Sequence, residues 1–195
     1  MKKLIPMLLC LLLLLSGCSL ERLMAMEIHE SNPVSESTTA LIFGGQEETG
    51  PVWVVTDAKT IAALRRSYQW THDHMRCCLE GTVTDYIDFI EGSCLAPWDV
   101  SKHKLYQEND VLAYNAAFRR KLRAARDKAV PMQRTVAYAD APERAQAVEA
   151  ALPGCIVAID SVRTAQGLEM HIITPETLSA EAMSTLRSIP GVTLP

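Results

Sequence analysis

The chain has 195 residues, 19 Lys and Arg against 23 Asp and Glu, and a formal net charge of −4. That length suits one domain or two small ones and is ample for a buried core. An acidic balance with only 6% aromatic residues excludes nucleic acid as the default partner.

Met1-Lys2-Lys3 is a short positive stretch, and Leu4 to Leu15 is apolar without a charge. An apolar run of about a dozen residues has signal-peptide length, whereas a spanning helix needs roughly 20. Leu15-Ser16-Gly17-Cys18 follows. This run resembles the lipobox of bacterial lipoproteins: an aliphatic residue, two small residues and a Cys. The resemblance implies cleavage between Gly17 and Cys18, a diacylglycerol on the Cys18 thiol and acylation of the freed amine. The expected non-protein group is therefore a covalent lipid on Cys18, with no other cofactor. Several acyl chains together hold a bilayer where one would not, because each buried methylene adds about 0.8 kcal/mol. Ser19 stands where an Asp usually retains such proteins in the inner membrane, which implies the outer membrane, facing the periplasm. Loss of residues 1–17, Lys2 and Lys3 among them, leaves 178 residues at net −6.

Residues 18–39 mix Ser, Glu, Thr, Asn and Pro and read as a lipidated tether, with Leu23-Met24-Ala25-Met26 a small apolar exception. An N-terminal α+β domain is expected over 40–130. Leu41-Ile42-Phe43 and Pro51 to Val55 read as strands, rich in β-branched and aromatic residues. Thr56-Asp57 offers an N-cap to a helix carrying Ile61, Leu64 and Tyr68 on one face. Val83 to Ile90 reads as a strand, Gly92 to Val100 as a loop, and Lys104-Leu105-Tyr106 as a short strand. Asp110 is the expected cap of the longest helix. Its stripe is Val111, Tyr114, Phe118, Leu122, Ala125 and Ala129, and Pro131 stops it.

A C-terminal domain is expected over 131–195. Gln133 to Tyr138 is a strand, and Asp140-Ala141-Pro142-Glu143 has capping-box spacing. Cys155 to Val162 and Leu168 to Thr174 form a strand pair, with Leu168, Met170 and Ile172 on one face. Ser179 caps a last helix, and Val192-Thr193-Leu194 is an edge strand. The expected order is ferredoxin-like, βαββαβ, an antiparallel sheet with helices on one face. The N-terminal part reads as a possible degenerate tandem copy. His171, alternating with apolar residues, is expected to face solvent.

The densest polar cluster is Thr71 to Cys78. His72, His74, Cys77 and Cys78 carry donors suited to zinc or copper, with Cys94 and His103 as further ligands. No spacing there matches a known zinc pattern, and thiols in an oxidising compartment usually form disulfides. Cys94 is expected to pair with Cys77 or Cys78, and Cys155 to stay reduced as a small hydrophobe. No motif for nucleophilic catalysis and no phosphate-cradling glycine run is present. The cations Arg119, Arg120, Lys121, Arg123, Arg126 and Lys128 read as the solvated face of a helix, with contact to anionic lipid headgroups as the alternative. The functional expectation is a lipid-anchored envelope protein without enzymatic activity. It would meet the membrane through its lipid and another envelope protein, of unknown identity, through its domain. Metal binding at 72–78 is the rival reading.

Overall fold

A computed structural model describes residues 32–44, 49–69, 85–100, 104–107, 110–113 and 115–195. In chain order the elements are β1 (Thr38–Phe43), β2 (Gly50–Val55), α1 (Ala58–Ser67), β3 (Asp85–Glu91), β4 (Cys94–Val100), β5 (Lys104–Gln107) and β6 (Asp110–Ala113). Then come α2 (Ala116–Arg126), β7 (Val130–Ala139), α3 (Arg144–Ala151), β8 (Ile156–Thr164), β9 (Gly167–Thr174), α4 (Ala180–Ser188) and β10 (Val192–Thr193). Among the described residues, no helix is long and apolar enough to cross a membrane.

The sheet closes on itself. Neighbours run β3-β1-β2-β7-β9-β8-β4, and β4 pairs back to β3 along Asp85↔Val100 to Glu91↔Cys94. Seven strands thus make a mixed barrel, with the β5–β6 hairpin extending from β4. Every junction in the ring is antiparallel except β4–β8, joined at Cys94↔Ile159. There Ile159 N donates to Ser93 O at 2.8 Å.

This overturns the expected fold class. The C-terminal elements do follow one another as β7-α3-β8-β9-α4-β10, but they form no open antiparallel ferredoxin-like sheet of their own: their strands are part of the closed mixed barrel, and no degenerate tandem copy stands before them. The reason lies at the strand edges. β10 covers β7 only at Ala139 and Tyr138, whereas β2 takes the same edge of β7 from Val130 to Arg134. β4 meets the outer edge of β8. The edges that an isolated four-stranded sheet would leave open are occupied by the N-terminal strands, so the sheet's second face becomes an interior.

Two local expectations also change. Residues 94–100 are β4 rather than a loop. Among the described residues, β4 pairs with β8 at Cys94 and with β5 at Asp99 and Val100. Pro97 therefore lies where that edge has no ladder partner and a missing N–H costs least. The long helix starts at Ala116, not Asp110. Asn115 caps it by accepting from Phe118 N at 2.8 Å, while 110–113 pair with 104–107.

Strand alternation sorts the core into an outer layer on each side and an inner one. α1 and α2 cover the outer wall of the N-terminal strands through Ile61, Leu64, Phe118, Leu122 and Ala125, packed on Leu41, Phe43, Ile87 and Phe89. α3 and α4 cover β7, β8 and β9 through Ala145, Val148 and Leu186 on Ala137, Met170 and Ile172. Ala40, Ile42, Val52, Val54, Ile90, Leu95, Ala158 and Ile173 face inward and meet one another. Fully burying a side chain such as Phe118 contributes about 1.5–3 kcal/mol, which is what docks α2.

β8 turns into β9 at Gly167, whose φ of +131° is closed to most side chains. A Cβ there would lie 2.6 Å from the Ala139 carbonyl oxygen on β7. Gly167→Ala should therefore cost about 2–4 kcal/mol, read as a lower urea midpoint at unchanged slope.

Candidate functional site in the barrel interior

One part of the interior is polar. Arg134 on β7 and Asp88 on β3 are separated round the ring by β1 and β2, so their ion pair spans the lumen: Nη2 to Oδ2 is 2.6 Å. Both side chains are nearly closed to solvent, at 6% and 14% exposure. Burial pushes the Asp88 carboxyl up, Arg134 opposes this, and Asp160 adds to it.

His171 joins the group from β9. It lies between Val136 of β7 and Ala158 of β8, one inward step along the strand from Ile173, which Arg134 faces across the β7–β9 ladder. Its Nε2 is 2.9 Å from Glu169 Oε1, the next inward side chain on the same strand. Burial, with the Arg134 guanidinium second, pushes the His171 pKa down to about 4 against the pull of Asp160. Burial outweighs the pull of Asp160 because His171 is only 6% exposed. The ring is therefore neutral at pH 7 and donates from Nε2 to Glu169. Nδ1 keeps its lone pair.

Two buried atoms of this cluster have no protein partner: Arg134 Nε, a donor, and His171 Nδ1, an acceptor. The first could be met by a hydrogen-bond acceptor and the second by a donor. His171 was expected in solvent. Its alternation with Leu168, Met170 and Ile172 holds, but the second face of the strand is the lumen.

The residues singled out by sequence fall elsewhere. Cys18, and His72, His74, Cys77 and Cys78, lie outside the described residues, as does His103. Cys94 begins β4 and is exposed, and its expected partners are not among the described residues. Cys155 has a free thiol, half-buried against the α3–α4 layer, and burial pushes its pKa up to about 11. Among the described residues no group of three or more His, Cys, Asp or Glu is placed to hold a metal ion. Asp88, Arg134 and His171 were missed as a group because they lie on three strands. Their one sequence signal is a polar residue recurring in a strand otherwise built for burial.

Removing one partner of the ion pair leaves a buried charge. Arg134→Met should cost about 3–5 kcal/mol in urea unfolding, and Asp88→Leu with Arg134→Met should recover more than half of it. His171 gives a pH signature. An unfolded His titrates near 6.5 and the folded one near 4, so this group's stability is present above pH 6.5 and drains as pH falls towards 4. Asp88, raised above its ordinary value, acts in the opposite sense, gaining stability as pH falls. His171→Leu isolates the first effect: it should remove about 3 kcal/mol of the wild-type loss between pH 6.5 and 4, measured by urea unfolding across that range.

No protein-family model matches the sequence, and no curated protein and no solved structure matches it either.

Proposed function

We propose that the chain is a lipid-anchored protein of the bacterial cell envelope with a non-enzymatic interaction or assembly role in the periplasm. The observation that carries this reading is Leu15-Ser16-Gly17-Cys18 directly after an apolar run of signal-peptide length. Cys18 takes the lipid, and residues 19–31 link it to the barrel. The outer membrane, facing the periplasm, follows from Ser19 at the position after the lipidated Cys. The polar interior lends the reading some support. His171 and Arg134 are closed off by the barrel wall, a placement suited to holding the domain together rather than to turning over a substrate. The interaction role places the working surface outside the barrel. In the same compartment, a disulfide between Cys94 and Cys77 or Cys78 would staple the segment that joins α1 to β4.

Cells expressing the chain and fed labelled palmitate should incorporate label into a product shortened by 17 residues. Cys18→Ala should abolish both label and cleavage. Label persisting in the Cys18→Ala protein would overturn the reading. Stoichiometric zinc or copper in the purified wild-type protein, lost on His72→Ala with Cys77→Ser, would favour the rival metal-binding role.

A further inference from the structure

We infer that the outer face of α1 and α2 is a membrane-contact surface, which lays the barrel on anionic phospholipid with Trp53 at its rim. The inference rests on the lipid-anchored reading, which puts a bilayer within reach.

The two helices lie antiparallel. Asn115 Nδ2 at the start of α2 donates to Gln69 Oε1 just after α1, at 3.3 Å. At the other end Asp57, lowered chiefly by its hydrogen bonds from Thr60, also feels Lys128. Ile61 and Leu64 of α1 and Phe118, Leu122 and Ala125 of α2 are turned into the core. The helical period then leaves Lys59, Arg66, Arg120, Lys121 and Arg123 exposed, with Lys128 in the turn after α2. From Asp57 to Gln69 and from Asn115 to Ala129 there are nine Lys and Arg but only two carboxylates, Asp57 and Asp127, in a chain whose net charge is −4. The opposite helix pair is mixed: Glu143, Glu149 and Glu181 stand with Arg144 and Arg187. Of the two helix layers, α1–α2 is the positive one.

An apolar rim adjoins that layer. Trp53 points outward from β2, opposite Pro131, and is 44% exposed. Val130, directly after the α2 turn, is 60% exposed. A Trp beside cations is the combination that settles at the headgroup level, ring towards the acyl boundary and charges on phosphate.

The third observation is where the polypeptide joins the fold. Asn32 Nδ2 donates to Arg65 O at 2.8 Å, Arg65 Nη1 donates to Ser35 O at 3.4 Å, and Val34 is buried in the core under α1 and α2. The chain coming from Cys18 therefore arrives on α1 itself. Thirteen residues, 19–31, separate Cys18 from Asn32. At roughly 3.5 Å each they reach about 45 Å when fully extended. A lipid on Cys18 thus tethers the barrel by its basic side.

The test is the depth of Trp53 in vesicles carrying the full lipidated chain. Its signal is the difference between wild type and Trp53→Phe, which cancels Trp70 and Trp98. Vesicles of brominated phosphatidylcholine, alone or with about 30% phosphatidylglycerol, provide neutral and anionic surfaces. Trp53 should be quenched and blue-shifted on the anionic vesicles, and not on neutral ones or in about 0.5 M salt. Each cation near such a surface favours contact roughly fivefold, so Arg120→Glu, Lys121→Glu and Arg123→Glu together should weaken contact more than about a hundredfold. Equal quenching on both vesicles, or quenching untouched by the triple substitution, would overturn the inference. So would silence on both vesicles with a response to polyglutamate, which points to an acidic protein partner instead. Flotation with neutral vesicles reports the lipid separately: a chain that floats with Trp53 silent on anionic lipid keeps the anchor and loses the inference. One that does not float, yet is quenched on anionic lipid, does the reverse.

Discussion

Strand directions cannot alternate all the way round a closed ring of seven. One neighbouring pair must run parallel, and here it is β4 with β8, joined through Cys94↔Ile159 and the Ile159 N to Ser93 O hydrogen bond. Parallel neighbours need a long connection, and residues 101–155 supply one, with α2, β7 and α3 along the way. Closure at this point joins the N-terminal strands to the C-terminal ones at a second place, the first being β2 against β7. Nearly everything else follows from it. The sheet's long edges are paired within the ring, and each strand carries one face outward beneath helices or solvent and one inward.

A closed interior has to be filled, and a seven-stranded one is narrow enough for side chains to fill it. Small and medium apolar residues do so over part of it. In the rest, a cation and a carboxylate meet across the lumen. Such a pair is weak evidence for stability, because the cost of removing both charges from water is comparable to their attraction. The pair does link β3 to β7 across the lumen, with β1 and β2 between them round the ring. His171 stays neutral beside them because burial disfavours its charged form, and the Arg134 guanidinium adds to that.

The outside is organised by a different rule. Helices α1 and α2 need only their inward stripe for packing, so their outward residues are unconstrained by the core. The concentration of Lys and Arg there is not required by folding, since like charges on neighbouring turns repel slightly. The same layer receives the incoming chain at Asn32 and carries the exposed Trp53 along its border. Tyr68 closes the seam beneath, edge-on to Phe118 with ring centres 5.3 Å apart, and burial pushes its hydroxyl up to about 12.

The sequence by itself determined what local chemistry can settle. Asp57 and Ser179 cap α1 and α4 as read, since a short oxygen-bearing side chain before an apolar period has few other uses. The inward stripe Phe118, Leu122 and Ala125 was legible from helical spacing, although Val111 continued the period into residues that pair as β6. Near Asp140 the capping residues were recognised but their partners were not: Asp140 holds the Arg144 side chain at 2.7 Å, and Glu143 stands at the cap without a side-chain hydrogen bond. Only the tertiary structure decided that the sheet closes, because alternation along one strand records two faces without recording what lies against either. For β9 the helix-facing residues were read correctly and His171 was assigned to water. The register of β7 and β8 against it, and the distant arrival of Asp88 from β3, place it in a lumen. Closure depends on pairings between strands far apart in the chain, such as β4 with β8, and no local spacing carries that information.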